Sequence, residues 1–499
     1  MALLLAAAVL LLMTIVLLFA IQWWKEKREH RRIVSLFPGP EASLLLGNLD
    51  KMTPTEKSLS FNESLLLRFP KLFRLWAGPL FGVIIATHHD VIKRVLLNST
   101  PKSEEFYRLL RPWLGDGLLI SKGKKWLRNR RLLTPGFHFE ILRSYIDIYN
   151  EATNILLTKW KYLAKNEKAV DVFDSSCYLA LDVVLRCACS YESNCQTQSE
   201  SAYVRSIVSL NEIPVARVLF PPYRSDFIFY FTPMGWRARK AVRTAHQHSE
   251  AIIRNRKMQL ISQNLENQRG KRSDFLDILL LAKDDEGRGL TDTEIRDEVD
   301  TFIFEGHDTT SSGLAFTLIN LARFPDFQQK CYEEIKSVLS NRKNVTWDDL
   351  GKFTYLSMFI KESLRLYPPV PFIYRTVEEP FEVDGFSFSK GCEIVLAITL
   401  AHRNPHIWEN PDKFDPLRFS AEAAKNRDPF AYLPFSGGAR NCIGQNFALH
   451  EMKTALALTL SRFELLPDSS CELKRAPYLI LKTENGGRVY LRDRGSRDS

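Results

Sequence analysis

The chain has 499 residues, of which 45% are hydrophobic and 25% are charged, and its formal net charge is +10. This composition is typical of a globular protein with a large core and excludes a disordered or collagen-like chain. The basic residues are dispersed, which favours an acidic protein or an anionic membrane surface as a partner and disfavours nucleic acid. The eight cysteines have no regular spacing, so neither a disulfide framework nor a zinc motif is indicated.

The amino-terminal segment predicts a membrane anchor. Residues 2–21 are apolar except for Thr14, and a helix needs about 20 residues to span a bilayer. Interfacial aromatic residues and then positive charges follow, which places the carboxyl side in the cytosol: Trp23, Trp24, Lys25, Lys27, Arg28, Arg31 and Arg32. A cleaved signal peptide has a shorter apolar region behind a positive charge, so we predict an uncleaved single-pass anchor over residues 1–24.

Behind the anchor, we predict a basic, proline-rich linker over residues 25–50 and one domain over residues 51–499. Pro38 and Pro40 disfavour a helix in the linker. In the domain, apolar periodicity predicts helices over Val91–Leu97, Leu142–Leu163, Cys177–Cys189, Arg239–Leu265, Thr291–Ala322, Phe327–Leu339, Phe353–Tyr367 and Gln445–Phe463. Strands are predicted over Leu72–Trp76, Val83–Thr87, Phe381–Phe388, Glu393–Ile398 and the tail Leu479–Leu491. The predicted fold is mostly α with small peripheral β-sheets.

Two helical segments carry a pair of residues one turn apart. Trp126 and Arg130 are spaced i, i+4 and share a helix face, as in any amphipathic surface helix. Glu362 and Arg365 are spaced i, i+3, and an exposed pair of this kind contributes only ~0–1 kcal/mol. Spacing alone therefore assigns neither pair a function.

The aromatic stretch PPYRSDFIFYFTPMGW, Pro221 to Trp236, has two interpretations. Aromatic side chains suit a buried core under a loop, and they equally suit a second membrane contact near a substrate entrance. The sequence leaves both interpretations open.

The stretch EVDTFIFEGHDTTSSG, Glu298 to Gly313, places polar residues in the middle of a long apolar helical pattern. Thr291 and Glu294 form a capping box before it, and Pro325 lies beyond its end. A buried polar group is costly unless it is paired, so this polar centre indicates either exposure or a chemical role. A helix broken at Asp308 or Thr309 is an alternative, because both residue types often cap a new helix.

The loop FSGGARNCIGQ, Phe435 to Gln445, places one cysteine just before an amphipathic helix. The start of a helix and the nearby Arg440 both favour a thiolate at Cys442. A thiolate held in this way is a metal ligand or a nucleophile, and a histidine base elsewhere in the chain is compatible with the second role.

Phe435, Gly438, Arg440, Cys442 and Gly444 fill the pattern FxxGxRxCxG, and the chain thereby resembles the cytochrome P450 superfamily. The resemblance implies the mostly helical fold of that superfamily and haem b as cofactor. It implies that Cys442 is the thiolate ligand of the haem iron, a ligand type that favours O–O cleavage.

The same resemblance assigns roles to other positions. Trp126 and Arg130 match a WxxxR motif for the haem propionates, and Arg375 and Arg440 match further cofactor-binding positions, as does Phe435. Glu362 and Arg365 match an ExxR motif that a downstream arginine joins to support folding around the haem. The matching arginine is Arg418, although Leu417 stands before it where the family often has glutamate.

For the long polar helix, the resemblance implies one kinked helix across the distal side of the haem. Gly306, Asp308 and Thr309 match its Gly-x-Asp/Glu-Thr motif, in which an acid and an alcohol relay protons to dioxygen through ordered water. These two residues are therefore the implied catalytic pair.

The stretch EVDTFIFEGHDTT resembles the hallmark of family four, the fatty-acid ω-hydroxylase branch of the superfamily. In that branch the glutamate at the position of Glu305 forms an ester with a haem methyl group, and a hydrogen-bonded, uncoupled glutamate is the alternative. Stretches such as RPWLGDGLL and LTPGFHFEIL look closest to the subfamily that oxidises leukotrienes and long-chain fatty acids.

The resemblance implies a monooxygenase of the endoplasmic reticulum membrane that hydroxylates a fatty acid or eicosanoid at the ω-carbon, with its catalytic domain facing the cytosol. Its electrons would come from NADPH through NADPH–cytochrome P450 reductase, with a small b-type cytochrome as a further partner, because the chain has no nucleotide-binding G-x-G-x-x-G unit. The basic residues Lys124, Lys125, Arg128 and Arg131 are candidates for contact with the reductase, or they form an ordinary solvated face.

Two other functions are compatible with the same fold. One is a haem-thiolate isomerase or dehydratase acting on lipid peroxides, which has no need of the Asp308–Thr309 pair. The other is a catalytically silent binding protein, which has no need of Cys442, Arg440 and Thr309.

Overall fold

The computed structural model describes residues 13, 14, 22, 24–98, 100–197, 202–262 and 274–497. Most of the predicted anchor, residues 1–24, lies outside these residues. Among the helices of the described ranges, none is both long and apolar enough to cross a membrane. The described chain is mostly helical and has four small β-sheets, which confirms the predicted class of fold.

The helices account for most of the described chain. Residues 24–35 are helical. The longer helices that follow are Glu56–Ser64, His89–Leu97, Gly123–Leu133, Ile146–Lys165, Val172–Cys189, Ala202–Leu219, Pro233–Ser262, Asp292–Arg323, Pro325–Leu339, Thr354–Leu366 and Gln445–Arg462. Shorter helices lie at Glu104–Tyr107, Arg111–Leu114, Phe139–Ser144, Asp226–Tyr230, Phe275–Leu281, Ile398–Ala401 and Ala421–Ala424.

The helices predicted from apolar periodicity occur with ends shifted by a few residues, with one exception. The predicted helix Leu142–Leu163 is divided at Tyr145 into Phe139–Ser144 and Ile146–Lys165. The predicted helix Arg239–Leu265 begins earlier, at Pro233, a residue type that suits the first turn of a helix. Its predicted residues 263–265 lie outside the described chain. The helix Ala202–Leu219 was not predicted, because Pro214 inside it removes a backbone donor and resembles a loop signal.

The polar stretch of the sequence lies in one unbroken helix, Asp292–Arg323, called the long helix below. Its capping box is formed: the Glu294 N–H donates to Thr291 Oγ1 at 3.2 Å, and the Thr291 N–H donates to Glu294 Oε2 at 2.9 Å. The helix ends at Arg323, two residues before Pro325. The alternative of a helix broken at Asp308 or Thr309 is therefore wrong.

The strands, in chain order, are β1 (Leu72–Trp76), β2 (Gly82–Ala86), β3 (Val170–Asp171), β4 (Phe372–Thr376), β5 (Phe381–Val383), β6 (Phe386–Phe388), β7 (Glu393–Ala397), β8 (Phe463–Pro467), β9 (Arg475–Pro477), β10 (Leu481–Thr483) and β11 (Arg488–Asp493). The largest sheet has the order β1-β2-β7-β4, in which only β2 and β7 are parallel. The smaller sheets are β3-β11-β8, β9-β10 and β5-β6.

Several strand predictions needed correction. The predicted tail strand Leu479–Leu491 is two strands, β10 and β11, and β3, β8 and β9 were not predicted. The predicted strand Phe381–Phe388 is a hairpin, because Asp384 and Gly385 both have positive φ and form its two-residue turn. Strand β4 was not predicted, since prolines flank it. In β4, Ile373 and Arg375 lie on one face, while Phe372 and Tyr374 lie on the other.

The long helix joins the two largest hydrophobic clusters of the described core. Residues 314–322 pack into one cluster with the helix Gln445–Arg462, and residues 295–304 pack into the other. The polar residues 305–312 lie between the clusters. This arrangement places the polar centre of the helix deep inside the domain.

The segment predicted as a linker, residues 25–50, contacts the largest sheet after its helical part. Phe37 is buried, and the Arg74 N–H donates to the Pro38 carbonyl at 2.7 Å. Gly47 bridges to Ala77 at the end of β1. These contacts hold the start of the chain against the domain.

Candidate active site

The loop that carries Cys442 is shaped by residues with positive φ. Gly438 has φ +69°, and a Cβ atom there would lie 2.9 Å from the Leu96 carbonyl oxygen, so this position requires glycine. Ser436 also has positive φ, at 59°. The Cys442 N–H donates to the Phe435 carbonyl at 2.9 Å, which closes the loop ahead of the helix Gln445–Arg462.

Cys442 is exposed to an internal cavity of about 240 Å³, called the thiol cavity below. Phe435 lines the same cavity, and the long helix contributes Glu305, Gly306, Thr309, Thr310 and Gly313. The cysteine loop and the polar centre of the long helix are therefore brought together, as the resemblance implied.

Burial raises the pKa of the Cys442 thiol to about 12, while the backbone N–H of Gly444 and the Arg130 cation oppose the rise. The position ahead of the helix therefore does not by itself produce the thiolate that the sequence suggested. A bound metal cation deprotonates a coordinating thiol outright, so this site suits a cysteine that ionises as a metal ligand.

The predicted cofactor-binding residues Trp126, Arg130, Arg375 and Arg440 all line the thiol cavity. The Arg440 guanidinium lies over the Trp126 ring at 4.3 Å and donates to the Ser121 carbonyl at 2.8 Å. Arg130 donates to the backbone oxygen and the side-chain oxygen of Asn441, both at 2.9 Å. Burial lowers the pKa of Arg440 to about 10, and the neighbouring Arg375 cation contributes to that shift.

Lys102 and Tyr107 line the thiol cavity as well, and the sequence gave no signal for either. The Lys102 side chain lies over the Tyr107 ring at 4.7 Å. Burial lowers the pKa of Lys102 well below its usual value, the Arg375 cation adds to the shift, and Glu305 opposes it. An isolated lysine after a proline has no pattern to distinguish it, because its neighbours in space come from distant strands and helices.

Glu305 faces this group of cations. Burial raises the pKa of its carboxyl group to about 7, against the opposing effects of Lys102 and Arg130. The Thr309 hydroxyl donates to the Glu305 backbone carbonyl at 2.6 Å and lies at the cavity wall. Glu305 and Thr309 therefore both lie at the wall of the thiol cavity.

Asp308 is not placed beside Thr309 at the cavity. Its side chain is 2% exposed and lies outside the residues that line the thiol cavity. Asn211 donates to Asp308 Oδ2 at 2.7 Å, and Lys482 Nζ lies 3.3 Å from Oδ1. The predicted acid and alcohol are therefore adjacent in sequence but face different surroundings, because successive helix residues point about 100° apart.

Glu362 and Arg365 form a completely buried ion pair, with Arg365 Nε and Nη2 donating to the carboxylate at 2.7 and 2.8 Å. Arg418 Nε lies 3.5 Å from the same carboxylate. Arg365 also donates to the backbone carbonyls of His402 and Pro411. The pair is thus part of a buried network and not the weak surface pair that spacing alone allowed.

The residues around the thiol cavity fit a haem. Four basic side chains, Lys102, Arg130, Arg375 and Arg440, face a single carboxyl group, and Arg440 Nη1 is buried without a hydrogen-bond partner in the described chain. Two propionates would supply the missing anionic acceptors, to which planar guanidinium groups are well matched. The Cys442 sulfur supplies a ligand of the type that iron accepts in haem proteins.

Comparison with known proteins supports this interpretation. The sequence matches the family model for cytochrome P450 over residues 37–489. It is 43% identical to leukotriene-B4 omega-hydroxylase 3 of Mus musculus over 471 residues. This alignment covers 92% of this chain and 90% of the mouse protein. It is also 42% identical to cytochrome P450 4F1 of Rattus norvegicus, over 92% of this chain and 90% of the rat protein. It is 42% identical to cytochrome P450 4F2 of Homo sapiens, over 91% of this chain and 90% of the human protein. The chain therefore belongs to the cytochrome P450 family, whose cofactor is a haem iron, and it is a cytochrome P450 monooxygenase.

Proposed function

We propose that this monooxygenase is membrane-bound and hydroxylates fatty acids or eicosanoids, such as leukotrienes, at the ω-carbon. The observation that carries the proposal is the thiol cavity, where Cys442 and Glu305 lie together among basic side chains. The 43% identity to a protein named leukotriene-B4 omega-hydroxylase supports the lipid class and the position of attack.

In this proposal the Cys442 sulfur would hold the iron of haem b. Trp126, Arg130, Arg375 and Arg440 hold the propionates, and Phe435 supports the cysteine loop at the cavity wall. When bound, the haem activates dioxygen, so that one oxygen atom enters a C–H bond and the other leaves as water. The protein's own residues supply orientation, protons and the exclusion of bulk water.

We propose Glu305 as a covalent attachment point, where its carboxylate would replace one hydrogen of a haem methyl group to form an ester. This replacement is a two-electron oxidation, and the dioxygen used in the monooxygenase reaction would be its oxidant. The Glu305 carboxyl group faces the thiol cavity and its pKa of about 7 leaves a substantial carboxylate fraction at neutral pH, since Lys102 and Arg130 favour the charged form. An ester at this position would hold the cofactor rigidly. A rigid site favours attack at a terminal carbon over the weaker C–H bonds of the chain interior.

Proton supply is the role that we propose for Thr309 and Asp308. Thr309 lies at the cavity wall, and Asp308 is one residue away but is held by Asn211 and Lys482. For Asp308 to resupply Thr309, its carboxylate must leave Lys482, through a side-chain rotation or a bridging water. Lys482 and Asn211 then set how readily the carboxylate moves.

The buried network of Glu362, Arg365 and Arg418 has a structural role in this proposal. Arg365 ties the helix Thr354–Leu366 to the carbonyls of His402, Pro411 and Lys413. The His402 side chain in turn accepts from the Leu433 N–H at 2.8 Å, two residues before Phe435. The network therefore supports the segment that leads into the cysteine loop.

Membrane attachment is proposed through the anchor at residues 1–24 and through a second contact. Of the two interpretations of the aromatic stretch, exposure favours the membrane contact: Phe227 is 77% and Phe231 71% exposed, and Phe220, Ile228 and Trp236 are also exposed. Exposed Leu44, Leu45 and Leu46 lie nearby, since the Gly78 N–H donates to the Leu46 carbonyl and Gly78 borders Pro221. We place this surface on the cytosolic face of the endoplasmic reticulum membrane.

We propose NADPH–cytochrome P450 reductase as the electron donor, with a small b-type cytochrome as a further partner. Three of the predicted contact residues form internal ion pairs: Lys125 with Asp116, Arg128 with Asp284 and Arg131 with Asp285. Lys124 is left exposed. The electrostatic attraction of an acidic partner to this helix is therefore weaker than four free cations would give.

The test is incubation of the full-length protein with the reductase, NADPH and palmitic acid. We expect a product hydroxylated mainly at the terminal carbon, formed only when NADPH and reductase are both present. Hydroxylation mainly at interior carbons would overturn the ω assignment.

A further inference from the structure

A second cavity, of about 570 Å³, lies on the other side of strand β4 and is called the apolar cavity below. Phe372 and Tyr374 line it, while the alternate residues Ile373 and Arg375 line the thiol cavity. Its volume is within the range of about 300–1,000 Å³ that small-molecule sites occupy. Its other walls are mostly apolar and include Leu75, Val83, Val215, Leu219 and Leu479. A cavity of this kind suits a lipid chain.

A pair of stacked rings lies at the wall of the apolar cavity, next in the chain to residues of the thiol cavity. The Phe106 and Tyr374 rings lie 3.7 Å apart and 13° from parallel, and both line the apolar cavity. Their chain neighbours Tyr107 and Ile373 line the thiol cavity. The stacked pair therefore stands beside both cavities.

Charged side chains gather at a different part of the apolar cavity, around Phe81. Lys27 and Arg224 both lie over the Phe81 ring, at 5.7 and 5.1 Å. Lys27 is 3.8 Å from a Glu105 carboxylate oxygen. Arg108 is 3.8 Å from Glu105 and 3.5 Å from Asp226. Lys27 and Arg108 are thus matched by carboxylates of the protein itself.

Arg224 differs from these two cations. Its Nε and Nη2 both donate to the Val218 carbonyl, at 3.1 and 2.6 Å, and no carboxylate of the described chain lies within 4.0 Å of it. Burial lowers the pKa of the Arg224 guanidinium, and Arg108 adds to the shift while Glu105 opposes it. A partly buried cation without a paired anion is unfavourable, and a bound anion would relieve it.

We propose that Arg224 binds the carboxylate of a long-chain fatty acid at the charged end of the apolar cavity. The inference rests on the proposed function and names the group that recognises the substrate head. A carboxylate at the Nη1 and Nη2 edge of the guanidinium would leave the Nε bond to the Val218 carbonyl in place, and arginine–carboxylate pairs are often bidentate.

This placement also determines which end of the lipid reaches Cys442. With the carboxylate at Arg224, the apolar chain fills the apolar cavity and its terminal carbon enters past Phe106 and Tyr374. In the described chain, other cations without a protein carboxylate within 4.0 Å lie in the thiol cavity itself: Lys102, Arg130, Arg375 and Arg440. A carboxylate bound there would bring the wrong end of the chain to Cys442.

The experiment compares the full-length wild type with Arg224→Gln, Arg224→Lys and the control Arg237→Gln. Arg237 is an exposed cation on the helix Pro233–Ser262 that pairs with Glu212 at 3.3 Å, and it does not line the apolar cavity. The probes are palmitic acid and methyl palmitate, which differ in head-group charge. Equilibrium binding is measured by displacement of a fluorescent fatty acid, and the terminal product fraction is measured with reductase and NADPH.

Loss of one charge-assisted contact should weaken palmitic acid binding by about tenfold or more in Arg224→Gln and change methyl palmitate binding less than about twofold. We expect Arg224→Lys to retain most of the affinity for the acid and Arg237→Gln to bind both probes like the wild type. The terminal product fraction should fall in Arg224→Gln. An unchanged carbon-monoxide spectrum of the reduced variant verifies that the thiol cavity is intact.

The inference is overturned if Arg224→Gln binds both probes like the wild type, or if it loses affinity for the acid and the ester equally. If the wild type still forms the terminally hydroxylated product, these outcomes do not contradict the proposed function. If instead the wild type binds palmitic acid through Arg224 but forms no terminal product, the proposed function fails and the inference holds. If the wild type binds neither probe, both are overturned.

Discussion

Glu305 and Asp308, two acidic residues one turn apart in the long helix, lie in different surroundings. Glu305 faces the thiol cavity, where burial raises its pKa to about 7 and Lys102 and Arg130 favour its charged form. Asp308 is directed away from the cavity and is held by Asn211 and Lys482. The sequence predicted that both residues matter but not that they face apart, because the partners of Asp308 come from positions about 100 residues before and 170 residues after it in the chain.

Attachment of the haem through Glu305 is testable at this scale. We expect the wild-type protein to retain its haem after denaturation and extraction with acidified organic solvent, because an ester survives unfolding. Glu305→Gln keeps the shape of the side chain but cannot form this ester, so it should release all of its haem. Release of free haem from the wild type would exclude the attachment.

The proposed role of Asp308 predicts a kinetic defect. Asp308→Asn keeps the hydrogen bonds to Asn211 but cannot carry a proton, so product formation should fall by about 10²-fold, a typical contribution of general acid catalysis. NADPH consumed without product should appear as hydrogen peroxide. Asp326→Asn, an exposed acid at the start of the next helix, is the matched control and should behave as the wild type. Equal turnover in Asp308→Asn and wild type would remove Asp308 from the proton route.

At the scale of secondary-structure elements, the strongly periodic helices and the Cys442 loop could be predicted from sequence alone. Glu362 and Arg365 could be identified as a motif, but their complete burial could not, since i, i+3 spacing is the same on a surface and in a core. Strand β4 was missed because its flanking prolines resemble a loop. In the same strand, Arg375 lines the thiol cavity and Tyr374 lines the apolar cavity. Because this strand was not predicted, the sequence did not indicate that the two cavities lie on opposite sides of it.

The buried network predicts a large stability effect. Glu362→Gln leaves Arg365 and Arg418 without their carboxylate, and breaking a buried pair in this way typically costs about 3–5 kcal/mol. We expect the urea midpoint to fall and the yield of haem-loaded protein to drop. Glu29→Gln disrupts an exposed pair of the same spacing with Arg32 and should leave the midpoint unchanged. A Glu362→Gln midpoint within error of the wild type would contradict the structural role of the network.

At the scale of the whole molecule, the predicted anchor, the exposed aromatic residues near Phe227 and the apolar cavity form one proposed route for a lipid from the bilayer to Cys442. Pro221 and Arg224 line the apolar cavity, and the exposed Phe220 and Phe227 adjoin them in the chain. This relation of surface to cavity could not be predicted from sequence, where the aromatic stretch suited a core equally well.

Contact of this surface with the membrane predicts a fluorescence result. In the full-length protein reconstituted into vesicles with brominated lipids, Trp236 should be quenched, because this residue is 59% exposed beside the aromatic surface. Trp236→Phe should therefore reduce the total quenching. Trp347→Phe should not, since Trp347 packs against His450 in the main core. Equal quenching in Trp236→Phe and the wild type would place this surface away from the bilayer.

The central claim is that the Cys442 sulfur binds the haem iron in the thiol cavity, and the absorption spectrum of the reduced, carbon-monoxide-bound protein tests it most directly. We predict the red-shifted Soret band of thiolate-ligated haem for the wild type and its loss in Cys442→Ser. A Cys442→Ser protein that keeps the same band would contradict the account.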